Sequence, residues 1–93
     1  MPTVSTRWIK ARLDAINEQA LTADGFDDAL IGFVEQFGRP PVALYDYEKC
    51  IAILMERDKM ARDVAVEFFE FNVIGAGMGE STPAFATILR EAK

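Results

Sequence analysis

The segment Ala61–Ile74, ARDVAVEFFEFNVI, limits the folds open to this chain more than any other. Its apolar residues recur at helical spacing, so it reads as a helix. Asp63, Glu67 and Glu70 fall in one narrow polar stripe, and nearly everything else is apolar, with Phe68 expected in the core. A helix wetted over so little of its surface is either central to a core or shared with a partner. The chain has 93 residues, which is room for a single domain. This helix and the elements that cover it must therefore make up most of the molecule.

The neighbouring segments supply the cover. Residues 46–57, DYEKCIAILMER, predict a helix with Asp46 as N-cap and Tyr47, Cys50, Ile51, Leu54 and Met55 on its apolar face. The connection DKM is short, so the two helices should form an antiparallel hairpin. Residues 4–21 predict an N-terminal helix, with Ile9, Leu13, Ile16 and Ala20 in a stripe that Trp8 widens, ended by a break at Gly25.

Residues 26–37 support two readings. As a helix, Asp24 would cap it, Asp27 and Asp28 would suit its first turn, and Gly38, Pro40 and Pro41 would stop it. As a strand it offers Ile31, Phe33, Val34 and Phe37, together with Gly32, which would cost a helix roughly 1 kcal/mol. Val42–Asp46 and Ala84–Leu89 both read as strands, and a two-stranded sheet is only marginally stable. A third strand over 29–36, joined through FGRPP, gives them a partner. The expected fold is therefore α+β: an N-terminal helix, a β-hairpin, a helical hairpin and a C-terminal strand, with the 61–74 helix packed across a three-stranded sheet. A mostly α fold is the alternative.

Composition excludes several function classes. The net charge is −5, which disfavours binding to nucleic-acid phosphates. There is one cysteine, Cys50, and no histidine. An internal disulfide, the common zinc sites, Ser-His-Asp triads and Cys-His dyads are thereby unavailable. Cys50 is expected to be a buried, inert thiol. Asp24, Asp27 and Asp28 lack the spacing of an EF-hand loop and read as capping or surface charge. No metal and no cofactor is expected. The N-terminus has no long apolar run, so neither a signal peptide nor a membrane span is expected, and the cytoplasm is the expected location.

The stretch Asn72–Ser81, NVIGAGMGES, imitates a dinucleotide-binding fingerprint. That fingerprint needs a preceding strand, a following helix and the spacing G-x-G-x-x-G. Here the preceding segment is helical in pattern, the sixth position is Glu80, and Pro83 follows. The expected role is a turn from a helix into a strand, with Gly75, Gly77 or Gly79 able to take a left-handed conformation.

The same stretch carries a resemblance of another kind. Tyr45 and Asp46, Phe71 and Asn72, Gly75, Gly79 and Glu80, and Thr82 and Pro83 give a YD…FN…GxxxGExTP pattern. In this the chain resembles a family of small proteins found in bacteriophages and prophages. The resemblance covers about residues 26–89, a family-like core, and leaves residues 1–22 outside. It supplies context and no chemistry: it implies a mobile-element setting, in which small acidic proteins often act by binding host or defence proteins.

Six residues are candidates for contact with a ligand or partner. Asp46, Asn72, Glu80 and Thr82 could line a small site, though each has a structural use as cap, buried amide or turn residue. Trp8 and Arg12 belong to a basic half-helix with Arg7 and Lys10, which could pair with an acidic partner. The N-terminal helix is expected to be docked, either on its own domain or on another chain. The preferred function is that of a non-catalytic binding protein from a phage or mobile element, with inhibition of a host defence component as one form of it. The alternatives are a structural or regulatory homo-oligomer, such as a homodimer, and a small-ligand binder using Asp46, Asn72 and Glu80.

Overall fold

A two-residue turn at Phe37–Gly38 organises the sheet. Gly38 adopts a φ of +76°, which a glycine takes without strain, and the chain reverses between Gln36 and Arg39. Strands β1 (Leu30–Gln36) and β2 (Arg39–Asp46) pair antiparallel across it. The structure, a computed structural model, describes residues 5–77 and 79–89. Among these residues the remaining elements are helices α1 (Thr6–Ile16), α2 (Tyr47–Arg57) and α3 (Arg62–Asn72), a short strand β3 (Ala84–Ala86), and single 3-10 turns at Asp27–Ala29 and Ile74–Ala76. Strand β3 pairs parallel with β2, giving a mixed sheet in the order β1-β2-β3. The α+β architecture agrees with the sequence reading, including the strand over 30–36.

The core lies on one face of this sheet. Leu30, Ala43 and Tyr45 are buried there with Ile9 and Leu13 of α1, Cys50, Ile51 and Leu54 of α2, and Ala65 and Phe69 of α3. Phe69 is the hub, with ring centroids 5.4 Å from Phe26, 5.5 Å from Tyr47 and 5.1 Å from Phe85, all edge-on. On the opposite sheet face Val34, Val42, Leu44 and Ala84 are only half-buried.

Several elements are shorter than expected. Helix α1 stops at Ile16 instead of Leu21 because Asn17 competes for the backbone. Its Oδ1 accepts from Gln19 N–H and its Nδ2 donates to the Pro41 carbonyl at 2.7 Å. Ile16 is exposed at the end of the shortened helix, Trp8 is exposed on its outer side, neither is part of the buried stripe, and Ala20 is half-buried outside the helix. Val4, where that helix was expected to begin, lies outside the described residues. Helix α1 docks on its own domain, with Lys10 bridging to Asp27 at 3.0 Å. Strand β3 ends at Ala86, leaving Ile88 and Leu89 exposed beyond it.

Helix α2 begins where expected, with the buried Asp46 carboxylate accepting from Lys49 N–H at 3.2 Å. Met55 is exposed, unlike the rest of its expected face. Lys59, in the left-handed region at φ 58°, and the extended Ala61 return the chain toward the start of α2. The first turn of α2 then meets both ends of α3: Glu48 pairs with Arg62, and the Tyr47 hydroxyl donates to Glu70. The helical pair is thus skewed from the simple antiparallel arrangement.

Candidate functional site

Helix α3 is apolar on two opposite faces. Ala65 and Phe69 point into the core, with Val66 half-buried beside them. Val64, Phe68 and Phe71 follow the i, i+4, i+7 spacing of a second face, and that face is open to solvent: Phe71 is 80% exposed and Phe68 39%. The expectation that Phe68 belongs to the core is corrected here, since Phe69, 0% exposed, takes that place. Both registers satisfy helical spacing, so the pattern alone could not phase the helix.

One flank of the open stripe is acidic. Asp63, Glu67 and Glu70 lie between it and the buried face, and among the described residues no ion pair reaches them. Arg62 is the single basic residue of α3 and is held by a two-pronged bond to Glu48, at 2.8 and 3.0 Å. That bond lowers the Glu48 carboxyl from its ordinary pKa and raises the Arg62 guanidinium. Glu70 accepts from the Tyr47 hydroxyl at 2.7 Å. Burial, then this bond to a carboxylate, pushes the Tyr47 phenol up to about 12.

The residues singled out from the sequence do not converge on one site. Asp46 is buried and spent on capping α2. Asn72 is exposed, not buried as expected, and its Nδ2 donates to the Phe68 carbonyl at 3.1 Å. Asn72 and the half-buried Thr82 share the lining of an open cleft of about 250 Å³, floored by Phe26, Val73 and Phe85 with Asp24 at its edge. Glu80 is exposed in the turn and lines a second recess with Arg39 and Pro40, which Thr82 also borders, so Thr82 meets Asn72 in one hollow and Glu80 in the other. Trp8 and Arg12 stack on each other on the exposed side of α1, with the guanidinium 5.5 Å from the ring centroid. Of the three candidate glycines only Gly79 has a positive φ, +94°. Gly75 lies in a 3-10 turn, and Gly77 is at φ −49°.

Cys50 is fully buried, and burial with the nearby Asp46 charge pushes its thiol up to about 12. A thiol so protonated is a poor nucleophile at neutral pH. Among the described residues no group of His, Cys, Asp and Glu could hold a metal ion, and no helix is long and apolar enough to cross a membrane. The sequence reading missed Val64 and Phe71 as a site. The signal available was the apolar character of α3 everywhere outside its narrow acidic stripe, which already required either a central position or a partner. No family model, curated protein or solved structure matches the chain.

Proposed function

We propose that the protein is a small non-catalytic binding protein of a phage or mobile element, acting in the cytoplasm by occupying a host protein. A defence-system component is the target class to test first. The observation that carries the binding reading is the outward stripe of Val64, Phe68 and Phe71 on α3. Helix faces with this spacing are a recurring anchor for protein recognition, and aromatic residues, Phe among them, are enriched in the cores of protein interfaces. The mobile-element setting is supported by the YD…FN…GxxxGExTP resemblance, and the acidic composition suits a basic target surface.

The test is affinity capture from a bacterial host lysate, with a Phe68→Ala/Phe71→Ala double variant as control. The expected result is a protein retained by the wild type and lost with the variant. Equal retention by both, or none by either, overturns the reading. A homo-oligomer is the second reading, because the same stripe could pair between two copies. Light scattering that shows a dimer dissolved by the double variant would decide in its favour.

A further inference from the structure

We infer that the α3 stripe enters an apolar groove on a partner protein whose rim carries Lys or Arg side chains alongside Asp63, Glu67 and Glu70. This rests on the reading of the chain as a binding protein and specifies the chemistry of its target. Two features fix that chemistry. Val64, Phe68 and Phe71 give three anchors over two turns of helix, with Phe71 the most exposed of them. The three carboxylates run along one flank only, and Arg62, the sole cation of the helix, is committed to Glu48.

A second copy of the chain is a poorer occupant. An antiparallel twofold pair of α3 helices joined through the stripe sets the two acidic flanks side by side. Like charges so placed repel. A parallel pair turns each acidic flank toward the Asn72 side of the other helix, which carries no cation. Neither arrangement brings a cation of α3 to Asp63, Glu67 or Glu70, whereas a groove with a basic rim pairs all three. Rim charges of this kind mainly speed association and select the partner.

The probe is a displayed library of helical-hairpin peptides, randomised along the groove between their two helices and at its rim, selected on the immobilised full chain. Enriched peptides are expected to combine large apolar residues with Lys or Arg. Their binding should fall at least about tenfold with Phe71→Ser, whose exposed position leaves the fold intact by circular dichroism. With Asp63→Lys/Glu67→Lys, binding should weaken and lose its salt dependence. Enriched peptides without an excess of basic residues overturn the inference. So does binding that ignores Phe71 while wild type still captures a host protein, which leaves the binding reading standing and moves it off this face. No enrichment at all overturns the inference, and together with no capture from lysate it removes the binding reading as well. Sedimentation showing a wild-type dimer that Phe71→Ser dissociates assigns the stripe to a second copy instead.

Discussion

Phe68 and Phe69 are adjacent in sequence and opposite in environment, so truncating each in turn measures how α3 is phased. Phe69 is wholly enclosed and meets three rings at 5.1–5.5 Å. Aromatic truncations in cores cost about 3–5 kcal/mol. Edge-on ring pairs add roughly 0.5–1.5 kcal/mol each beyond the area they bury, which puts Phe69→Ala toward the top of that range. A chain of this size has a total stability of roughly 5–14 kcal/mol, so the loss is about a third of it at one end of that range and nearly all of it at the other. In urea, with a slope of about 2 kcal/mol/M, a loss of about 5 kcal/mol lowers the midpoint by about 2.5 M. Phe68 is 39% exposed, and its truncation should cost about 1 kcal/mol, in line with the smaller area it removes from water. If Phe68→Ala proves as damaging as Phe69→Ala, the helix is rotated and the outward stripe does not exist.

Three further outcomes are expected. Gly79→Ala should cost about 1–2 kcal/mol, because its left-handed backbone strains any residue with a Cβ; Gly77→Ala, whose added Cβ meets atoms no nearer than 3.8 Å, should be close to neutral in the same thermal melt. Asp46→Ala should cost about 0.5–2 kcal/mol through loss of the α2 cap, while Asp46→Asn, which keeps an acceptor, should recover most of it in urea titrations. Cys50 and Tyr47 both titrate near 12 in the folded chain, above ordinary values of 9.0 and 10.0, chiefly through burial. The folded state then holds these protons more tightly than the unfolded chain. Their contribution is therefore complete at neutral pH and is lost as pH rises from about 9 toward 12. Urea midpoints across that window should fall less steeply for Cys50→Ala, and native Cys50 should resist alkylation until the protein unfolds.

Much of the fold could be read from local signals. Asp46 before an apolar-periodic run marked the start of α2, and FGRPP between two β-branched runs marked the hairpin. Val42–Asp46 needed sheet partners, which correctly decided the strand over 30–36 against a helix with good capping residues. What could not be read depended on tertiary geometry. The stop at Asn17 relies on a bond to Pro41, far along the chain. The phase of α3 relies on which of two equivalent apolar stripes meets Phe26, Tyr47 and Phe85. The candidate site was the least legible part. Polar residues drew notice, yet Asp46 is a cap, Asn72 bonds its own helix, and Trp8 with Arg12 stack apart from both.

The parallel pairing of β2 with β3 also orders events in folding. The β1-β2 hairpin closes through two residues, whereas α2 and α3 lie between β2 and β3 in the chain, so that pairing closes a much longer loop. Hairpins form in microseconds, and contacts across long loops come later. Strand β3 brings Phe85 onto both Tyr45 and Phe69, so the last strand to arrive seals the centre of the core. With only three residues in the ladder, this seam is where the native chain should open first, and amide protons of Phe85 and Ala86 should exchange ahead of those in the β1-β2 hairpin.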